Sequence, residues 1–193
     1  MNEESQGDPR TQRERMVAGD LYLADDPQLV QESRRAEALT KEYNESSPLD
    51  PARRMRILGD LLGSIGEQTE IRPPFYCDYG FHIHIGARTF VNFGLVALDV
   101  AEIQIGNDVQ IGPSVQLLTP THPLEPESRR AKWEAARPIA IGDNAWLGGG
   151  VIVCPGITIG ADTVVGAGAV VTRDLPPGVL AVGNPARVVR SLE

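Results

Sequence analysis

Large aromatic side chains are scarce in this sequence. Two Trp, four Tyr and four Phe make up 5% of its 193 residues, while 41% of the residues are hydrophobic. The interior therefore has to be filled by Val, Ile, Leu and Ala, which suits a narrow coil. Cysteine is nearly absent too. Cys77 and Cys154 form no metal-ligand or redox spacing, so both are read as free thiols in a reduced, cytoplasmic compartment. Basic charge is in deficit: 18 Lys and Arg stand against 26 Asp and Glu, a formal net charge of −8. That argues against non-specific nucleic-acid binding and against an anionic membrane surface. It leaves room for an anionic cofactor, which needs only a few local cations. No basic segment followed by an apolar run opens the chain, and no apolar stretch reaches membrane-spanning length, so a soluble, unsecreted protein is expected. Histidine occurs three times, at His82, His84 and His122.

What the chain has in abundance is a period of six. Ile141, Leu147, Val153, Ile159, Val165 and Val171 follow one another at that interval, and Gly142, Gly148, Gly160 and Gly166 stand directly behind four of them. Four places after each aliphatic residue come Ala145, Val151, Ile157, Thr163, Ala169 and Leu175. Six is neither a helix period nor a strand alternation. It is the hexapeptide signature of a parallel β-helix, with Gly, Asn107, Asp143 and Asn144 read as left-handed corner residues. Earlier in the chain Ile85, Val91 and Ala97 keep the period, the phase slips, and Ile105, Ile111 and Leu117 resume it.

Upstream, Thr11–Ala18 reads as a short helix ended at Gly19. Asp26-Pro27 and Asp50-Pro51 read as the starts of two more, with Asp as the cap and Pro at the first helical position. The division expected is a helical cap over 1–70, with residues 1–10 frayed, and a β-helix over 71–193. Segment 118–138 breaks the hexads with Pro, charge and Trp133, and is read as an inserted, functional loop.

The segments FYCDYGFHIHIG, TFVNF, TPTHPL, PIAIGDNAWLGGGVIVCPGITIGADTVVGAGAVVTRDLPP and VGNPARVVR together resemble the maltose/galactoside O-acetyltransferases, with the nodulation acetyltransferases close to them. The N-terminal MVAGDLYLADDPQLVQESRRAEAL resembles their helical cap, and the likeness runs over about residues 12–192. It implies an all-β, left-handed parallel β-helix, a homotrimer with sites between subunits, and acetyl transfer from acetyl-CoA to a hydroxyl of a sugar, with no metal.

Carried over residue by residue, the resemblance makes His122 the general base. An alcohol is a poor nucleophile until a base takes its proton, and imidazole is suited to that near neutral pH. Glu134 would orient His122 or stabilise its imidazolium. Asn92 would bond a substrate hydroxyl or the thioester oxygen. Asp78, Asp99 and Asp26, with neighbouring Asp25, would bind acceptor hydroxyls, although Asp26 is equally a helix cap. Trp146 would line the cleft. The sequence carries no Walker loop or dinucleotide fingerprint. Gly149, Ala167 and Thr172 match the positions at which the resemblance implies contact with the pantetheine arm, and Arg173 and Arg187 would meet the phosphates. Neither cysteine has a base beside it in sequence, so no acyl-enzyme is expected. Three alternatives stay open: a zinc lyase of the γ-carbonic-anhydrase kind using all three histidines, a non-catalytic scaffold, and an acetyltransferase with a serine or xenobiotic acceptor.

Overall fold

The hexad residues stack as the walls of a three-sided coil. The computed structural model describes residues 8–192, so positions 1–7 of the segment expected to fray lie outside the described residues. Helix α1 (Gln12–Val17) begins at Thr11, whose hydroxyl accepts from the Glu14 N–H while the Glu14 carboxylate accepts from the Thr11 N–H. The exchange satisfies two end donors at once. Asp26 and Asp50 cap α2 (Pro27–Asn44) and α3 (Pro51–Leu61), each with Pro at the first helical position, as the sequence predicts.

Three parallel sheets follow. The first wall stacks Ser64–Ile65, Ile83–Ile85, Ile103–Ile105, Ile139–Ile141 and Thr158–Ile159. The second stacks Glu70–Ile71, Phe90–Val91, Gln110–Ile111, Trp146–Leu147, Val164–Val165 and Val179–Val182, and ends in the antiparallel strand Arg187–Ser191. The third stacks Phe75–Cys77, Leu95–Leu98, Gln116–Leu118, Ile152–Val153 and Val170–Val171. Register sets like on like: Ile85, Ile105, Ile141 and Ile159 form one column, and Val91, Ile111, Leu147 and Val165 another. These residues are buried, as are Ala145, Val151, Ile157, Thr163 and Ala169 at the corners and Leu175, which bridges to Ile159 and continues the first column. Each hexad thus delivers one side chain from a wall and one from a corner, which is why small aliphatics suffice.

Two details differ from the sequence reading. The coil starts at Ser64–Ile65, paired with His84–Ile85, and not at Ile71. Gly63 and Gly66 flank this first strand, just past the end of α3. Nor do the hexad glycines serve a left-handed backbone. A Cβ on Gly142 would stand 2.5 Å from the Ala161 nitrogen, and one on Gly160 2.3 Å from the Pro177 nitrogen. The coils approach too closely there for any side chain. The left-handed residues come two places later, at Arg88, Asp108, Asn144 and Asp162, with φ of 56°, 58°, 56° and 59°. Asn144 fits the sequence reading; Asn107 and Asp143 do not. Their side chains accept from the preceding coil instead, Asn107 Oδ1 from the Ala87 N–H at 2.9 Å and Asp143 Oδ1 from the Asn107 N–H at 2.7 Å.

Helices α2 and α3 close the first coil. Ala36, Tyr43, Leu58 and Leu61 join the coil's own apolar cluster. The Tyr43 hydroxyl donates to the Ile71 carbonyl, and Asn44 holds both backbone groups of Phe75 at 2.9 Å. This covers an edge that would otherwise offer unpaired backbone groups. No helix among the described residues is long and apolar enough to cross a membrane.

The hexad period fails at one edge, where the third wall turns into the first. In the early coils this corner is longer, running from Cys77 to Ile85 and from Ala97 to Ile105, and in the third coil it opens into the insert. The insert is ordered. Pro120–Thr121 pairs antiparallel with Trp133–Ala136, α4 (Pro126–Arg130) turns between them, and Tyr22–Leu23 pairs along the far side of Trp133–Glu134. A second apolar cluster of Met16, Tyr22, Leu29, Tyr79, Val100 and Ala136 lies beneath, apart from the coil core.

Candidate active site

A cleft of about 420 Å³ opens above that second cluster. The N-terminal segments supply Tyr22, Leu29, Ser33 and Arg34; the two long corners supply Asp78, Tyr79, Leu98 and Val100; the insert supplies Pro120, His122 and Glu134. Chain segments far apart in sequence meet here because each is a departure from the hexad at one edge.

Strand register explains the central geometry. Pro120 faces Ala136 and Thr121 faces Ala135, so the next pair in the same register is His122 with Glu134. On the other side, Glu134 faces Tyr22. Directly opposed residues of antiparallel strands share a face. Tyr22, Glu134 and His122 therefore form one row across three strands. Glu134 Oε2 accepts the Tyr22 hydroxyl proton at 2.9 Å, and Glu134 Oε1 lies 3.9 Å from His122 Nδ1. That second separation is a charge contact and not a hydrogen bond. The His122 side chain is 56% exposed, open to a substrate from the cleft.

Asp78 lies in the same cleft. Burial first, then the negative charges of Asp99 and Glu134, push its carboxyl up to about 6. The sign of the stability effect follows. Between the ordinary carboxylate range and about pH 6, the folded chain holds more protons than the unfolded one, so stability falls as pH rises through that window. The cost is complete above pH 6. Asp78→Asn is therefore expected to raise Tm by a few degrees at pH 8, with the gain shrinking towards pH 4. An equal change in Tm at both values, read by calorimetry, would refute this origin.

Asp99 is not in the cleft. It is fully buried, and Oδ1 accepts from the Asp78 and Tyr79 N–H groups at 3.0 and 2.9 Å, while Oδ2 accepts from the His82 N–H at 3.2 Å. The His82 ring donates from Nδ1 to the Asp99 carbonyl at 2.9 Å. Asp99 clasps one long corner to the next, which corrects its reading as an acceptor ligand: its oxygens are already used. Asp26 is the helix cap, accepting from the Gln28 N–H at 2.9 Å, and Asp25 is exposed beside it. Neither lines the cleft.

The three histidines do not converge. His82 is tied to Asp99, and His84 lies between Ser64 Oγ and Glu102 Oε2, each at 3.0 Å, while His122 stands by Glu134. Among the described residues no group of three or more His, Cys, Asp or Glu side chains is arranged to hold a metal. Within one chain's described residues the three histidines of the zinc-lyase alternative are not brought together. Burial pushes the Cys77 thiol up to about 12, which suits a packing residue and not a nucleophile.

The remaining expected residues lie elsewhere on the coil. Thr172 and Arg173 are exposed on the cleft-bearing edge, two coils beyond the insert. Arg187 begins the final antiparallel strand and is exposed. Asn92, Gly149 and Ala167 occupy a different edge, where the second wall turns into the third. Asn92 Oδ1 accepts from the Phe93 N–H at 2.8 Å, leaving its Nδ2 donors without a partner among the described residues. The N–H groups of Gly149 and Ala167 likewise have no partner there. Trp146 lies on the outer face of the second wall, 54% exposed. A single chain thus carries two separate sets of candidate residues. Sequence reasoning missed Tyr22, Ser33, Arg34 and Tyr79 in the first set. Tyr22 was hidden because only the pairing across 112 positions gives it meaning.

Residues 15–66 match the maltose acetyltransferase hexapeptide capping motif, and residues 138–173 match the bacterial transferase hexapeptide, six repeats. Nodulation protein L of Rhizobium meliloti is 50% identical over 93% of this chain and 98% of its own length. The crystal structure of a maltose O-acetyltransferase from Clostridium difficile superposes with a TM-score of 0.94 at 43% identity, covering 96% of this chain and all of the other. A galactoside acetyltransferase in complex with coenzyme A superposes with a TM-score of 0.91 at 37% identity, covering 95% and 92%. Cap motif, hexapeptide coil and whole-length likeness agree: the chain belongs to the left-handed β-helix, hexapeptide-repeat family of acetyl-CoA-dependent O-acetyltransferases that includes the maltose and galactoside enzymes.

Proposed function

We propose that this chain moves the acetyl group of acetyl-CoA to a sugar hydroxyl by direct attack, with His122 as general base. The observation that carries the reading is the row in which Glu134, itself tied to Tyr22, stands beside an open His122 at the cleft mouth. Nδ1 of His122 is the ring nitrogen towards Glu134, so Nε2 is the one left to take a proton. As the acceptor oxygen attacks, its proton passes to His122 and a C–O bond forms to the acetyl carbon. The tetrahedral oxyanion collapses, the C–S bond breaks, and the CoA sulfur leaves with the proton from the imidazolium. Glu134 opposes the positive charge of the ring while it lasts. Donors for the oxyanion come from the second edge: the free Nδ2 of Asn92 or the N–H of Gly149.

Acetyl-CoA would lie along the Gly149–Ala167 edge, its amides meeting backbone N–H groups, with Thr172 beside the arm and Arg173 and Arg187 supplying charge for its phosphates. Because Gly149 and Ala167 stand on a different edge from His122, Thr172 and Arg173, the reading requires neighbouring copies, and a homotrimer meets that need. Trp146 would close the cleft from the neighbour's wall. A hydroxyl-rich acceptor suits the lining, which includes Ser33, Arg34, Asp78, Tyr79 and Glu134. Two free cysteines fit a cytoplasmic enzyme.

Thiol release from acetyl-CoA, assayed with maltose, glucose, a thiogalactoside, serine and simple amines, tests the acceptor class. Release dependent on a sugar, with serine and amines giving at most about a tenth of that kcat/KM, is the expected result. Preference for serine or an amine would transfer the activity to a non-sugar acceptor, and no release with any acceptor would favour a scaffold.

A further inference from the structure

We infer that Tyr22 is a positioning residue for catalysis: the N-terminal strand, through its hydroxyl, holds Glu134 in the place from which Glu134 acts on His122. The inference rests on the base role of His122 and extends it to a residue in the cap.

Two independent features of the fold aim this contact. Tyr22–Leu23 is paired to Trp133–Glu134 in a register that sets Tyr22 directly opposite Glu134. The ring of Tyr22 is 1% exposed and packed with Met16, Leu29 and Tyr79, so the hydroxyl has a fixed place from which to donate. The strand is itself secured by α1, where the Gln12 side chain accepts from the Leu23 N–H at 2.8 Å and Arg15 lies over the Trp133 ring, 5.3 Å from its centroid.

Glu134 needs such a hold. It shares the cleft with Asp78, and like charges there repel it. A carboxylate has two oxygens; here one is committed to Tyr22, which leaves the other facing His122 at 3.9 Å. Without the hydroxyl nothing holds Glu134 in that place, and the imidazole loses the charge beside it. Burial and the Glu134 charge raise the phenol's own pKa, so Tyr22 remains a donor throughout the working range. The cap is therefore more than a cover for the coil. It completes the site that the insert begins.

Tyr22→Phe keeps the ring and removes only the donor. The expected result is a fall in kcat of about tenfold, unchanged KM for acetyl-CoA, and a displacement of the acid limb of the pH–rate profile to lower pH, as a displaced Glu134 no longer stabilises the imidazolium. A thermodynamic cycle isolates the route. In a Glu134→Ala background, adding Tyr22→Phe should change kcat by less than about twofold. Equal losses in both backgrounds, an unshifted pH profile, or full activity in either single variant would overturn the inference. Loss of Tm without a kinetic change would reduce Tyr22 to packing and overturn it as well. If His122→Ala is deficient while Tyr22→Phe is silent, only this inference fails; if His122→Ala is fully active, the base reading fails with it.

Discussion

Replacing His122 by alanine lowers kcat by about a hundredfold to ten-thousandfold and leaves KM for acetyl-CoA nearly unchanged. The size follows from what the imidazole does. A sugar hydroxyl is far too weakly acidic to ionise near neutral pH, so without a base its proton must be lost to water during attack. The ring lies outside the coil core and acts on the acceptor hydroxyl, not on the nucleotide or pantetheine of the donor, so folding and binding of the CoA moiety are spared. The His122 side chain is more than half exposed and makes no hydrogen bond that the fold depends on, so Tm should stay within about 1 °C. The wild-type profile should show an acid limb, where imidazolium formation stops proton abstraction. In the variant that limb should vanish, and added imidazole should restore part of the rate by entering the space left behind. Initial rates of thiol release across pH 5–9, with calorimetry on the same samples, decide the matter. A variant within about threefold of wild type would end the general-base reading.

The coil was open to reading in the sequence because each hexad repeats the same physical demand. Ile85, Ile105, Ile141 and Ile159 report one inward column without any knowledge of the third dimension. The helix starts at Asp26-Pro27 and Asp50-Pro51 were equally plain, since a cap and a fixed φ act over a few residues. The glycines were located correctly but assigned the wrong cause. A short sequence window contains the turn, yet the constraint on Gly142 comes from Ala161, a full coil later. The site divided in the same way. His122, Glu134 and Asp78 stood out by type and by family motif, and they line one cleft. Asp99 carried the same signals and is instead a buried clasp, because a carboxylate in a corner serves backbone donors as readily as a ligand. Tyr22 carried no local signal; its importance comes from a strand pairing between the cap and the insert.

Two inactive variants should make an active enzyme together. His122 lies on the edge between the third and first walls, and Asn92, Gly149 and Ala167 on the edge between the second and third. A whole wall separates them, roughly 15–20 Å of extended chain, against the ~3 Å over which a base and an oxyanion donor must share one reacting centre. One chain alone does not span that gap. Rotating copies about a three-fold axis lets the edge bearing His122 in each copy face the edge bearing Asn92 in the next, and the ring closes with every site complete. Light scattering should then give a mass three times the chain's 20.9 kDa. His122→Ala destroys the base in its own edge and leaves its Asn92 edge intact, while Asn92→Ala does the reverse. Each variant by itself should be nearly inert. Co-expressed under two tags and purified through both, they should regain roughly one third of the wild-type sites, because every mixed trimer sets one intact His122 edge against one intact Asn92 edge. Mixed oligomers no more active than the sum of the two variants would place both residues in separate sites. Full activity of Asn92→Ala alone would remove that residue from the chemistry, and a monomeric mass would remove the shared site.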